Sequence, residues 1–381
     1  MKERVETNFN PRQLTSARVA EGLTMKELAE KSNISRQMIS NYESGKTVPK
    51  GESLLKIISV LKYPIQFFTS DSTELMVGAT FFRSQSAATK KKRNMQSERI
   101  KFSIATYNFF SKYINFPNVN LPEIIDKDID EITDDEIKEK AEELRVTWNF
   151  DSSSPIVHLI NKAEVNGIVI VESNMEDHTL DAVSHMYQGR PFIVLADNHE
   201  SAVRRRFNIA HELGHMLLHS SVEDLENYSD RILKNKIEHQ ANLFASYFLL
   251  PDEAFSDSLL STSLEFYKRL KKYWLVSIAA MVQKTSLLGL INDDQKLYLN
   301  KQISWHKWRK SEPFDDVLPI EHPSLFKKMF KMIIENNVVS KNEFFSELPL
   351  PIDELESMLE TSLADQSPSV ADEKPYLRLL K

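Results

Sequence analysis

The pentapeptide His211-Glu212-Leu213-Gly214-His215 constrains the fold of this chain more than any other stretch of it. Residues four apart share one face of an α-helix, so the two histidines can present their imidazoles to a single point. HExxH on a helix is the spacing with which two histidines hold a zinc ion while the glutamate between them acts as a general base. We therefore expect a helix that buries a metal site, with His211 and His215 as ligands and Glu212 as the catalytic base.

A catalytic zinc site needs a third protein ligand, and the best candidate is Glu238. It lies in a second apolar stretch in which Ala241 and Ala245 share its helical stripe, and residues this small let two helices pack closely around a metal. His239 and Glu223 are the rivals. His239 is turned about 100° away from Glu238 on the helix, and Glu223 lies in a polar stretch.

Three further polar residues are candidates for supporting roles. His219 lies about 12 Å from His211 along a straight helix, too far for both to reach one ion, so we expect it at the helix end or beside a ligand. His185 and Tyr187 lie on or beside a predicted strand and could donate hydrogen bonds to the oxyanion of a transition state. Packing is the stronger interpretation for these two.

Cysteine is absent from the 381 residues, which excludes disulfides, thiolate nucleophiles, cysteine-based zinc fingers and iron–sulfur clusters. Any metal is then held by histidines and carboxylates. The chain has no GxGxxG, GxxxxGK or GxSxG motif, so nucleotide-binding folds and serine hydrolases lose their main sequence support. No signal-peptide core and no apolar run of about 18 residues is present, so we expect a cytoplasmic protein without a membrane partner.

Charge is divided unevenly along the chain. Residues 1–113 contain 19 Lys and Arg against 10 Asp and Glu, a balance of +9, whereas the remainder contains 29 against 45, a balance of −16. A basic amino-terminal third joined to an acidic remainder indicates an anionic partner at one end of the molecule and a different function at the other.

The basic amino-terminal third begins with a pattern of five short helices between Pro11 and Phe68. Gly22 ends the first helix and Asn33 marks a turn after the second. Thr24 with Glu27 forms a capping-box pattern, and Ser35 can cap the third helix. These signals predict a compact helical bundle.

The outward side of the third helix carries Arg36, Gln37, Ser40 and Asn41 near its amino end, where a recognition helix meets the major groove of DNA. Arg can read a guanine edge and Gln an adenine edge with two hydrogen bonds. Lys46 is placed to bind phosphate, which adds affinity and salt dependence without sequence choice.

The stretch LTMKELAEKSNISRQMISNYESGKTVP, residues 23–49, resembles the XRE family of helix-turn-helix proteins. The resemblance covers about residues 9–69. It implies an all-α DNA-binding domain whose partner is double-stranded operator DNA. A homodimer is expected, because half-site recognition by one small domain is weak.

Three apolar runs upstream of the HExxH motif predict the strands of a small sheet: Gly167–Val171, Leu180–Met186 and Phe192–Ala196. Residues 188–191 predict a turn between the second and the third. An edge strand beside a metal helix could hold an extended peptide by main-chain pairing. The pattern does not identify which strand is the edge.

The segments RRRFNIAHELGHMLLH and IEHQANLFASYFLLP, in that order, resemble the ImmA/IrrE family of zinc metallopeptidases, with GIVIVES and PFIVLADN in the strand positions of that family. The resemblance extends over about residues 156–308. It implies one Zn²⁺ ion per chain, with His211, His215 and Glu238 as ligands and Glu212 as general base. It also implies a regulatory role, since such domains cleave a helix-turn-helix repressor or are fused to one.

The sequence thus predicts a multidomain protein: an all-α helix-turn-helix domain (1–70), a basic helical connector (71–120), an α+β zincin-like metallopeptidase domain (121–265) and helical trailing segments (266–381). The predicted function is a DNA-binding transcription regulator with a zinc endopeptidase that cleaves a repressor or the chain itself. Two alternatives remain open. One is a non-proteolytic regulator that senses a ligand, and the other is an antitoxin that binds DNA and a toxin.

Overall fold

The computed structural model describes residues 9–69, 80–82, 90–173, 182–196, 200–219 and 231–363. The chain forms two compact units: the first contains residues 1–76, 88–115 and 324–381, and the second contains residues 77–87 and 116–323. The predicted connector (71–120) and trailing segments (266–381) are therefore each divided between the two units. Within the described ranges, no helix is both long and apolar enough to cross a membrane.

The described elements follow one another in this order: α1 (Pro11–Ala20), α2 (Met25–Ser32), α3 (Arg36–Glu43), α4 (Gly51–Leu61), a 3-10 helix (Ile65–Thr69), β1 (Thr80–Phe82), α5 (Lys90–Ser111), α6 (Asp134–Thr147), α7 (Leu159–Val165), β2 (Val169–Ser173), β3 (Ala182–Tyr187), β4 (Arg190–Ala196), α8 (Ala202–Leu218), α9 (Arg231–Leu249), α10 (Asp252–Ser258), α11 (Leu264–Trp274), α12 (Ile278–Leu287), α13 (Asp293–Trp305), α14 (Leu325–Glu335), α15 (Lys341–Glu347) and α16 (Ile352–Leu359). Strands occur only in the second unit among the described residues.

The helix-turn-helix part of the first unit begins and ends its helices at the predicted signals. Thr24 and Glu27 form the capping box of α2, with each side chain accepting a hydrogen bond from the backbone N–H of the other residue. Asn33 ends α2 in the left-handed conformation, and Ser35 caps α3. The fifth predicted helix is a 3-10 helix, in which the Phe67 N–H donates to the Pro64 carbonyl three residues earlier.

Helix α5 and the carboxy-terminal helices complete the first unit. Phe109 and Phe110 of α5 pack against Phe344 of α15, with ring centroids 5.2 and 6.4 Å apart. Arg99 of α5 donates to the carboxylate of Glu354 in α16 at 2.5 Å and to the Ala20 carbonyl of α1 at 3.3 Å. Three segments far apart in sequence thus share one core.

The second unit contains a four-stranded sheet of order β1-β3-β4-β2. Strands β3 and β4 form an antiparallel hairpin whose two turn residues, Gln188 and Gly189, both have positive φ, as a two-residue type I′ turn requires. Strand β2 runs parallel to β4, and β1 runs antiparallel to β3. The three predicted strands are confirmed within two residues at each end, whereas β1 was not predicted.

Two buried arginines fix the beginning of α8, the helix that carries HExxH. Arg205 pairs with Glu172 of β2, and Arg206 pairs with Glu321 at 2.5 Å. Both arginine side chains are buried, where an unpaired charge is costly, so each needs its carboxylate. Helix α8 is therefore tied to β2 on one side and to the end of the second unit on the other.

Candidate metal centre and nucleic-acid interface

Two histidines of α8 and one glutamate of α9 converge on a single point. The Nε2 atoms of His211 and His215 lie 2.9 Å apart, and the Glu238 carboxylate lies 3.5 Å from the first and 3.7 Å from the second. A tetrahedral zinc ion with bonds of about 2.0–2.1 Å separates its ligand atoms by about 3.3 Å, which falls inside this range. The three donors form a group able to hold a metal ion.

Neighbouring side chains set which nitrogen of His211 carries its proton. The His211 Nδ1 atom lies 3.0 Å from Asn242 Oδ1 on α9. An amide oxygen only accepts, so Nδ1 is the protonated nitrogen and donates to it. The Nε2 atom of His211 then presents its lone pair to the metal position.

A longer relay sets the tautomer of His215. Gln240 Nε2 donates to the Ile129 carbonyl at 3.0 Å, which leaves Gln240 Oε1 to accept from His219 Nε2 at 3.0 Å. Burial lowers the pKa of His219 to about 4, so its ring is neutral and its Nδ1 is an acceptor. His215 Nδ1, 3.1 Å away, donates to that atom, and its Nε2 keeps a lone pair.

Both metal-facing nitrogens therefore carry lone pairs directed at one another across 2.9 Å. Two lone pairs this close repel, and a cation between them turns the repulsion into coordination. Two imidazole nitrogens and one carboxylate match the ligand types that Zn²⁺ takes in catalytic sites. The residues present thus fit the metal that their spacing predicts.

Glu212 is held by the sheet. Its Oε2 atom accepts a hydrogen bond of 2.5 Å from the Ser184 hydroxyl of β3, and both residues are fully buried. Since Glu212 follows His211 directly in α8, its carboxylate is carried on the same helix as the ligands. The contact with Ser184 orients that carboxylate and brings β3 to the metal centre.

Helices α8 and α9 approach closely at Gly214. A Cβ atom at Gly214 would lie 3.1 Å from the side chain of Phe244 and 3.2 Å from the Cα of Ala241. Ala241 and Ala245 are fully buried, as the predicted stripe of small residues requires. The spacing between the two helices, and hence the reach of Glu238 to the histidines, depends on these small residues.

The other candidates from the sequence lie elsewhere. His239 is exposed on α9, and Glu223 lies outside the described residues. Residues alternate between the two faces of a strand, so His185 and Tyr187 point away from the face on which Ser184 meets Glu212. His185 stacks on Phe192 with centroids 4.9 Å apart, and burial lowers its pKa to about 3.

Three site residues were missed in the sequence: Ser184, Gln240 and Asn242. Asn242 had a usable signal, since it lies four residues after Glu238 and therefore on the same face of α9. Ser184 and Gln240 had none, because their roles depend on how β3 and the segment around Ile129 pack on α8 and α9.

Helix α3 carries the residues that the sequence predicts to contact DNA, and Lys46 follows it. Arg36, Gln37 and Lys46 are exposed, and Ser40 and Asn41 are half-buried. Gln37 Nε2 donates to Asn41 Oδ1 at 3.2 Å along one face of the helix. This contact uses one amide proton of Gln37 within the helix.

A buried ion pair that was not predicted holds α3 against α1. Arg18 Nε and Nη2 donate to the two oxygens of Glu43 at 2.6 and 2.9 Å, and Arg18 Nη1 donates to the Leu23 carbonyl at 2.8 Å. Such a two-pronged contact fixes orientation as well as distance. It sets the angle at which α3 presents Arg36 and Gln37.

Comparison with known proteins agrees with both parts. Residues 14–68 match the family described as "Helix-turn-helix", and residues 163–286 match the family described as "IrrE N-terminal-like domain", Peptidase_M78. The chain joins an XRE-type helix-turn-helix domain to an IrrE/ImmA-type metallopeptidase domain. An XRE-type domain binds DNA, and an IrrE/ImmA-type domain implies a bound metal.

Two individual proteins are similar over parts of the chain. The metallopeptidase ImmA of Bacillus subtilis (strain 168) is 41% identical over 61 residues, which are 16% of this chain and 36% of that protein. The chain thus matches about a third of the length of that relative. A Mycobacterium tuberculosis transcriptional regulator of known structure is 17% identical, with 49% of this chain and 51% of that chain covered, and its TM-score of 0.30 does not establish a common fold.

Proposed function

We propose that this protein is a DNA-binding transcription regulator whose IrrE/ImmA-type domain is a zinc-dependent endopeptidase. The observation that supports it best is the convergence of His211, His215 and Glu238 beside Glu212, in the part of the chain that matches the metallopeptidase family. The proposed substrate is a helix-turn-helix repressor or this chain itself. One zinc ion per chain is expected.

The proposed chemistry divides between the metal and the protein. A zinc ion in this site supplies Lewis acidity, which polarises the scissile carbonyl and lowers the pKa of water. Glu212 accepts the proton of the attacking water and passes it to the leaving amine. Ser184 keeps the Glu212 carboxylate in place, while Asn242 and the His219–Gln240 relay keep the imidazoles in the ligating tautomer.

Metal content is the first test. Elemental analysis of protein purified without chelators should give one zinc per chain for the wild type and clear loss for His215→Ala and Glu238→Ala. His239→Ala is the matched control on α9, because His239 is exposed, and it should keep its zinc. Absence of metal in the wild type after zinc is added back would contradict the proposal.

Cleavage is the second test. Incubation of the zinc-loaded protein with a candidate repressor, or alone, should give fragments that intact mass spectrometry identifies. Glu212→Gln should lose cleavage while it keeps zinc, because the variant removes the base and leaves all three ligands. If neither protein cleaves and a toxin co-purifies with both, the antitoxin alternative replaces the protease.

The DNA-binding part of the proposal assigns base contacts to Arg36 and Gln37, further contacts to Ser40 and Asn41, and phosphate contacts to Lys46. With an operator selected from random DNA, Arg36→Ala should cost about 1–3 kcal/mol and relax the preference at one base position. Lys46→Ala should weaken binding to all sequences alike and reduce the salt dependence. Equal losses on operator and random DNA for Arg36→Ala would contradict base reading.

We also propose that the protein binds its operator as a homodimer. Sedimentation with a two-half-site operator should then give two chains per duplex, and a duplex with one half-site should bind more weakly.

A further inference from the structure

Strand β3 is the sheet element that meets the metal centre. Its Ser184 hydroxyl contacts Glu212, and the strand packs on α8. One side of β3 pairs with β4, which leaves the opposite side as the edge from which an extended peptide could add to the sheet beside Glu212. In the described sheet, that side of β3 is taken by β1.

Strand β1 pairs with β3 in antiparallel register, with Thr80 opposite His185, Phe81 opposite Ser184 and Phe82 opposite Val183. The backbone of β1 therefore passes directly beside the residue that holds Glu212. A peptide that adds to the edge of a sheet makes main-chain hydrogen bonds of this kind.

Strand β1 is not part of either matched domain. The helix-turn-helix match ends at residue 68 and the metallopeptidase match begins at residue 163. Strand β1 belongs to the second unit, whereas the described helices before and after it, α4 and α5, belong to the first. The strand at the β3 edge thus comes from a part of the chain that lies between the two matched domains in sequence.

We propose that the outer edge of β3 is the binding edge for an extended peptide substrate, and that Thr80–Phe82 occupies it as an intramolecular competitor. This inference rests on the proposed protease function. A substrate strand must displace β1 before it reaches Glu212.

The length of β1 makes this exchange feasible. It covers three of the six residues of β3, whereas a peptide of six residues can pair along Ala182–Tyr187. Each main-chain hydrogen bond contributes about 0.5–1.5 kcal/mol net, so a longer strand gains several such contributions over β1. Because β1 belongs to the same chain as β3, its pairing is intramolecular, and a separate substrate peptide must compete with it.

The test uses a cysteine pair, because the natural chain has no cysteine to interfere. Paired Cα atoms of antiparallel strands lie about 4.5–5.5 Å apart, within the roughly 4.4–6.8 Å that a disulfide spans. Phe82→Cys with Val183→Cys should therefore cross-link under mild oxidation, as mass spectrometry would show. Each single variant, treated in the same way, is the control.

Peptide binding is then measured by fluorescence anisotropy in a Glu212→Gln background, so that no peptide is cut. The probe is a fluorescein-labelled peptide with the sequence of residues 78–84. Phe81→Pro and Phe82→Pro are compared, because successive amide groups of a strand point alternately toward the neighbouring strand and away from it. One of the two prolines therefore removes a hydrogen bond between β1 and β3 and weakens the pairing, and the other is its matched control. We expect the proline variant that loses the β1–β3 hydrogen bond to bind the peptide at least about tenfold more tightly than the Glu212→Gln protein with no further change. The disulfide-linked protein should bind the peptide at least about tenfold more weakly than the same protein after reduction.

Three outcomes would overturn the inference. They are failure of the cysteine pair to cross-link, equal peptide affinity in the locked and reduced protein, and no binding by either proline variant. These differ from failure of the protease proposal, which would appear as absence of cleavage in every protein with Glu212 intact while the locked and released forms still differ in peptide affinity. Zinc content is measured in all forms and should be equal.

Discussion

At the scale of single residues, the candidate metal centre depends on side chains that lie outside the group of proposed ligands. Gln240 receives its orientation from a backbone carbonyl, and this orientation passes through His219 to His215. Because each group in this relay is buried, a wrong orientation leaves a polar atom without a partner. The tautomer of a ligand is thus fixed by a residue two side chains away.

Gln240→Leu should therefore lower zinc affinity by about 10- to 100-fold, as loss of a ligand's orienting partner does elsewhere. The reason is that His219 Nε2 loses the Gln240 oxygen to which it donates, so the His219 ring is no longer held with Nδ1 as the acceptor for His215. Zinc affinity is measured by competition with a chromophoric chelator. Gln240→Glu keeps an acceptor for His219 and should lose less affinity than Gln240→Leu. An unchanged affinity in the leucine variant would show that the relay does not orient His215.

His185 predicts a pH dependence of stability. Burial lowers its folded pKa to about 3, below the value near 6.5 of the unfolded chain, so below pH 6.5 the unfolded state binds the proton first. Its contribution to stability is complete above pH 6.5 and is lost as the pH falls toward 3. Between pH 6.5 and 5 this loss amounts to about 2 kcal/mol.

His185→Phe should remove that part of the acid sensitivity, since the ring can still stack on Phe192 and carries no proton. Urea unfolding of both proteins at pH 7.5 and pH 5 measures the difference. The unfolding free energy of the variant minus that of the wild type should be larger at pH 5 than at pH 7.5. A gap that is the same at both pH values would mean that His185 is not held neutral.

At the scale of elements, close packing of α8 on α9 sets the distances between the three proposed metal ligands. Gly214→Ala introduces a Cβ atom 3.1 Å from Phe244 and 3.2 Å from Ala241. Overpacking costs about 1–3 kcal/mol, offset by about 1 kcal/mol of helix propensity, so we expect a net loss near 1 kcal/mol together with weaker zinc binding. Gly51→Ala in α4 is the matched control, because nothing lies within 4 Å of its added Cβ. Equal behaviour of the two variants would contradict a role for the close contact.

The Arg18–Glu43 pair predicts that α3 loses its support when one partner is removed. Glu43→Gln leaves the Arg18 charge buried without its carboxylate, which costs about 3–5 kcal/mol. Glu52→Gln breaks the exposed Lys56–Glu52 pair of α4 and should change stability far less, because solvent screens that pair. Chemical unfolding gives both values. Operator affinity should fall in the first variant only, and similar small losses in both would contradict a supporting role for the buried pair.

The elements that could be predicted are those with local causes. Thr24, Ser35 and Asn33 begin or end helices through contacts within four residues, and Gln188-Gly189 encodes its turn by itself. Strand β1 has no local signal, because three residues are too few to show the alternation of apolar and polar side chains that marks a strand. Its pairing depends on β3, which follows about 100 residues later in the chain. The same holds for Ser184, whose role exists only once β3 packs on α8.

At the scale of the whole molecule, two interleaved units share one chain. The first unit needs residues 324–363 to cover the phenylalanines of α5, although these residues follow the metal centre in sequence. Apolar periodicity predicts that such helices have a buried face, but it does not say which distant segment that face meets. The boundaries of the two units therefore could not be read from the order of motifs.

This division predicts that core substitutions act on one function at a time. Phe344→Ala removes a buried ring that contacts Phe109, Phe110 and Phe330 in the first unit, and Trp274→Ala removes a buried ring that contacts Phe255 in the second. Each should cost about 3–5 kcal/mol in the unit that contains it.

The readouts are operator binding and zinc retention, both followed along a urea titration. Phe344→Ala should lower the urea midpoint for loss of operator binding and leave that for zinc release unchanged, and Trp274→Ala should do the reverse. Because each unit has its own buried core, a cavity in one removes contacts from that core alone. If both variants lower both midpoints equally, the chain unfolds as one cooperative body, and the division into two independently stable units is wrong.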